Sequence, residues 1–75
     1  MNINSKNSYE ECFSQFRLVG NMTQTLLRRS AADEMINSGM SEIGSSDINN
    51  HLYNKWSSNN GDWQKVLLEY SGFAS

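Results

Sequence analysis

The stretch His51-Leu52-Tyr53-Asn54-Lys55-Trp56, then Ser57-Ser58-Asn59-Asn60-Gly61, then Asp62-Trp63-Gln64-Lys65-Val66-Leu67-Leu68-Glu69-Tyr70, decides the fold. Asn60-Gly61 is the strongest short signal for a β-hairpin turn. A half-buried hairpin also needs apolar and polar residues to alternate on both sides of the turn. Neither arm alternates, and the first contains no β-branched residue. The apolar residues recur at helical spacing instead. Ile48, Leu52, Tyr53 and Trp56 share one face, and Trp63, Val66, Leu67 and Tyr70 fall at i, i+3, i+4 and i+7. Two helices joined by a turn are predicted. Ser46-Asp47 starts the first with a capping hydroxyl ahead of an acidic first turn. Asp62 caps the second. Gly72 supplies a left-handed terminal residue, and Phe73 the apolar contact that accompanies it.

The same pattern extends backwards. Ser8-Tyr9-Glu10-Glu11 reads as a capping box. Behind it Tyr9, Cys12, Phe13, Phe16 and Val19 make one apolar stripe, which predicts a helix over 9–19. Gly20-Asn21 is a stop or a soft bend. Met22, Leu26, Leu27, Ala31, Met35 and Ile36 then continue a helical stripe over 22–38, with Gly39 just past its end. The expected fold is all-α, with three or four short helices in a small bundle, a flexible segment over 1–8 and a single helical domain over 9–73.

Composition bounds what this fold can do. Seventy-five residues allow one domain with a lean core. Leu, Ile, Val and Phe number 15 of 75, at the edge of what sustains folding, but a net charge of −2 and eight aromatic residues favour a packed chain. Cys12, the only cysteine, cannot make an internal disulfide. No segment has the length of a membrane span or the apolar run of a signal peptide, so the expected location is the cytoplasm.

Candidate chemistry is sparse. Cys12 and His51 are the only thiol and imidazole. Cys12 lies on the apolar stripe, where burial would raise its pKa and make it inert. Asp47 and His51, at i and i+4, could face one metal ion, but two local ligands fall short of the three or four that zinc takes. Glu10-Glu11 and Asp33-Glu34 are adjacent carboxylates that point about 100° apart on a helix, and the isolated glycines form no phosphate loop. No catalytic residue, metal or cofactor is expected. Arg28-Arg29, with Arg17, is the only basic concentration. A helix-turn-helix reading would use 22–38, the Ser38-Gly39 turn and 46–57, offering Asn49, Asn50, Asn54 and Lys55 to bases. One cation on the recognition helix is too little for an affinity that comes largely from phosphate contacts.

Aromatic and thioether side chains are the remaining signal. A chain this small is not expected to enclose two Trp residues, and Trp, Tyr, Met and Arg are enriched at protein interfaces. The expected partner-binding patch is Met40, Tyr53, Trp56 and Trp63, with Arg28 and Arg29 as its polar rim. A homodimer is one way to complete the core.

Residues 16–56 also resemble the small enterobacterial biofilm-regulator and two-component connector proteins of the AriR type. The resemblance rests on Phe16-Arg17, Gly20-Asn21, the apolar helix ending at Ser38-Gly39, and Ile43, Ile48 and Leu52. It needs a one-residue insertion near Gly44, and Trp56 and Trp63 depart from the pattern. It implies a small, helical, non-enzymatic bacterial regulator that dimerises and modulates signalling or transcription. The functional expectation is a regulatory adaptor acting by protein–protein binding, with a helix-turn-helix DNA binder as the alternative.

Overall fold

The computed structural model describes residues 5–74, with the side chains of residues 9–70. Four helices follow one another: α1 (Ser5–Phe16), α2 (Asn21–Asn37), α3 (Ser45–Ser58) and α4 (Trp63–Ala74). α2 packs most extensively against α3, α1 lies on α3, and α4 contacts both α2 and α3. The all-α bundle is as expected. Helix α1, however, begins at Ser5 rather than behind Ser8, so Ser8 is inside a helix and the expected capping box is not its start. Of the segment expected to be flexible, residues 1–4 lie outside the described residues.

The helix ends show how short polar residues set the boundaries. Past α2, the Gly39 N–H donates to Ile36 O at 3.0 Å and the Met40 N–H donates to Met35 O at 3.2 Å. This is a Schellman closure, and it requires a left-handed residue at Gly39, whose φ is 107°. Past α3 the same pair of bonds recurs, from Asn60 N–H to Ser57 O and from Gly61 N–H to Trp56 O. Asn60 (φ 59°) and Gly61 (φ 70°) are both left-handed. The backbone conformation that made Asn-Gly a hairpin signal is therefore used to end a helix. α3 begins at Ser45 with Gly44 as its N-cap, so Ser46, expected to cap it, lies inside the helix. The Asp47 carboxylate accepts the Gly44 N–H at 3.0 Å, satisfying a donor left free at the helix entrance. Asp62 caps α4 as expected, accepting the Gln64 N–H at 2.9 Å.

The core is formed by Cys12, Phe16, Leu27, Ala31, Met35, Leu52, Trp56, Trp63, Val66 and Tyr70. Leu27, Leu52 and Val66 lose all contact with solvent. Each such side chain contributes about 1.5–3 kcal/mol relative to exposure. Around them six aromatic rings close a circuit: Tyr9, Phe13, Phe16, Trp63, Trp56, Tyr53 and back to Tyr9, with neighbouring centroids 5.0–6.4 Å apart. The pairs are tilted or edge-on, the arrangements that ring quadrupoles favour. The Trp63 indole N–H donates to Cys12 O at 3.1 Å, tying the start of α4 to the middle of α1.

Candidate interaction surface

The structure does not bring the six expected partner-binding residues together on one surface. Trp56 and Trp63 are core residues, only 7% and 6% exposed, and the expectation that they lie at the surface is corrected. The physical reason is the aromatic circuit. Each indole is covered by other rings, so 75 residues do enclose two Trp residues. Tyr53 is half-buried within the same circuit. Arg28 is not a free rim residue. Its guanidinium donates to Asn49 Oδ1 at 3.1 Å and lies 5.2 Å from the Phe16 ring centre. Met40 and Arg29 are exposed, as expected.

The single apolar stripe expected on α2 is two separate lines. With about 100° between successive residues, Leu27, Ala31 and Met35 point one way, and all three are buried. Met22, Leu26, Arg29, Asp33 and Ile36 lie within about 40° of the opposite direction, and all five are exposed. Among the described residues seven large hydrophobic side chains are exposed: Tyr9, Leu18, Met22, Leu26, Ile36, Met40 and Leu68. Four of these belong to the outer side of α2 and the residue that closes its end. Met22 is 87% exposed and Ile36 56%. An open cavity at the first turn, lined by Asn21, Met22, Thr25, Leu26 and Arg29, lies on this face. Arg29 and Asp33 make no ion pair with one another or with any other described residue.

A polar hub that spans three helices was missed. The Glu34 carboxylate, on α2, accepts the Tyr70 hydroxyl of α4 at 3.0 Å and lies 2.7 Å from His51 Nε2 of α3. A carboxylate only accepts, so that ring nitrogen donates. Lys55 Nζ sits 3.4 Å from Glu34 and 3.1 Å from Glu69. Burial pushes the Glu34 carboxyl upward, but the bonds from His51 and Tyr70 and the charge of Lys55 outweigh it and hold the group below its ordinary value. For Lys55 the two carboxylates likewise outweigh burial and raise the ammonium. Burial, reinforced by the Glu34 charge, raises the Tyr70 hydroxyl. Sequence spacing could not have linked these residues, because the partners are 17, 21 and 36 positions apart.

This hub bears on the chemical readings. His51 is committed to Glu34, while Asp47 is committed to the Gly44 amide, so they do not form a ligand pair. No group of three or more His, Cys, Asp or Glu able to hold a metal ion occurs among the described residues. Cys12 is wholly buried, and desolvation pushes its thiol up to about 12. An open groove of about 700 Å³ bounded by α1, α2 and α3 is lined by Tyr9, Phe13, Arg17, Arg28 and Asn49 among others, and by neither Cys12 nor His51. On the helix-turn-helix reading, α3 would face DNA with Lys55 neutralised by two carboxylates and Asn49 held by Arg28. Among the described residues no helix is long and apolar enough to cross a membrane. No family model, curated protein or solved structure matches the chain.

Proposed function

We propose that this chain is a small non-enzymatic adaptor that acts by protein–protein contact, and that it modulates a transcription or signalling protein. The observation that carries the reading is the outer face of α2. A chain with so few aliphatic residues places Met22, Leu26 and Ile36 on a helix face left exposed among the described residues, with Met40 beside its end. Exposed apolar side chains gathered on one face, rather than scattered singly, mark a contact surface. Met is well suited to such a face because its unbranched thioether adapts to what it meets. The contact set is therefore Met22, Leu26, Arg29, Ile36 and Met40 rather than the two indoles. The resemblance of residues 16–56 to the AriR-type connectors points to the same class of function.

Two further observations support a binding role over catalysis or DNA reading. The lone thiol is sealed and holds its proton, and the lone imidazole is bound into a structural hub. The helix that would read DNA has its lysine engaged at both neighbouring carboxylates. The test is Leu26→Asp, a charge placed within the exposed face. Loss of protein partners captured by the tagged chain in its host, with an unchanged far-UV spectrum, is expected. A variant that retains every interaction refutes the assignment.

A further inference from the structure

We infer that the partner taken by the outer face of α2 is a second copy of this chain, docked antiparallel so that a two-fold axis passes at the level of Ala31. The inference rests on the reading of this face as a contact surface, and it adds what covers it. The argument is the order of residues along the face. Arg29 and Asp33 lie two positions either side of 31, Leu26 and Ile36 five, and Met22 and Met40 nine. An antiparallel second copy in this register sets Arg29 against Asp33 of the other chain, twice by symmetry. It also sets Leu26 against Ile36, and Met22 against the helix end that carries Met40. An isologous interface requires this self-complementarity.

Other arrangements lose it. A parallel pair sets Arg29 against Arg29 and Asp33 against Asp33. An antiparallel pair centred on position 29 also opposes the two arginines. Charge complementarity thus selects both orientation and register, the role that polar residues take in paired helices. Both charges are exposed and neither has an ion-pair partner within the described chain, so docking breaks no existing pair. The seam is short: 17 helical residues span about 26 Å. That places the interface at the small end of specific contacts, so a dimer formed at micromolar concentration is expected.

The test is sedimentation equilibrium of the full chain and two charge variants, Arg29→Asp and Asp33→Arg. Wild type is expected to move from 8.5 kDa towards twice that mass as concentration rises. Each variant alone opposes like charges at both symmetry-related positions, and its dissociation constant should rise roughly tenfold or more. An equimolar mixture restores both attractive pairs and should form a heterodimer. Both positions are exposed, and unchanged far-UV spectra will confirm that each variant folds. As an independent check, Leu26→Cys mixed with Ile36→Cys, with oxidised glutathione supplied as the two-electron oxidant, should form the crossed disulfide in preference to either homodimer. A wild type that stays at 8.5 kDa to millimolar concentration, or a mixture no tighter than its components, overturns the inference. If the wild type is monomeric while Leu26→Asp still abolishes host partners, the second-copy assignment alone fails. If Leu26→Asp also leaves host partners unchanged, the contact-surface reading fails with it.

Discussion

Alkaline solution should unfold this protein well before it affects an ordinary helical bundle, and Cys12 should be the main cause. Cys12 is wholly buried, and its thiol is pushed from 9.0 to about 12 by loss of solvation. A group whose folded pKa is raised contributes stability in full below its unfolded value and loses it as pH climbs towards the folded one. The unfolded chain therefore sheds the thiol proton above pH 9 while the fold must keep it. Stability falls by about 1.4 kcal/mol for each pH unit in that window. By pH 11 the loss is roughly 3 kcal/mol from Cys12 alone. Tyr70 acts in the same direction, because its buried hydroxyl is raised above 10.0. It adds roughly 1.5 kcal/mol at that pH. For a domain whose whole stability is of order 5 kcal/mol, such a loss is nearly complete. The assay is the urea midpoint by far-UV circular dichroism between pH 7 and pH 11, which avoids tyrosinate absorption in fluorescence. Wild type should show a steep decline above pH 9. Cys12→Ala should start about 1 kcal/mol less stable at pH 7, then decline only with Tyr70. Parallel slopes for the two proteins would refute the claim that burial holds the thiol proton.

On the acidic side, Glu34 and Glu69 are held below their ordinary value, so their contribution is present above pH 4.5 and lost as pH falls through the folded values. Glu34→Gln keeps an acceptor but not the charge, and should cost about 1–2 kcal/mol near neutrality while flattening acid unfolding between pH 5 and pH 3. Trp63→Phe keeps most of the ring contacts and removes the donor to Cys12 O. A loss of about 1–2 kcal/mol, read as a fall of roughly 5–15 °C in thermal midpoint, is expected. Gly61→Ala forces an alanine to φ 70° with its Cβ 3.2 Å from Trp56 Cζ2. It should cost more than the ~1–2 kcal/mol of left-handed strain alone, as measured by chemical denaturation. An unaltered midpoint would show that the turn relaxes elsewhere.

Periodicity made the inward residues legible because a helix that must bury one face repeats its apolar side chains at i, i+3 and i+4. Cys12, Phe16, Leu52, Trp56, Trp63, Val66 and Tyr70 all sit where that spacing put them. It failed on α2 for a specific reason. Met22 points about 140–180° away from Leu27, Ala31 and Met35. A set that wide cannot be one face, and the structure divides it into a buried line through Ala31 and an exposed line through Arg29. The two indoles were misplaced by an argument from size, which took no account of side chains that cover one another. Trp56 and Trp63 lie 6.4 Å apart, each flanked by a further ring. The Glu34 hub was illegible because three of its four members are ordinary charged or imidazole side chains at solvent-like positions. Only the crossing of α2, α3 and α4 brings them together.

The outer face of α2 also bears on how a chain this lean stays folded. Its inner line of Leu27, Ala31 and Met35 contributes only one large branched side chain to the core, so the helix at the centre of the bundle is held by modest burial on one side. Covering the opposite line removes Met22, Leu26 and Ile36 from water without adding a residue. Anything that binds the folded chain and not the unfolded one stabilises it by mass action, about 1.4 kcal/mol for each tenfold excess over the dissociation constant. The thermal midpoint of the wild type should therefore rise by several degrees per decade of protein concentration above the dissociation constant. That of Arg29→Asp should not rise over the same range. A midpoint independent of concentration in both would mean that the four helices suffice alone, and that the exposed line on α2 contributes nothing to stability through self-association.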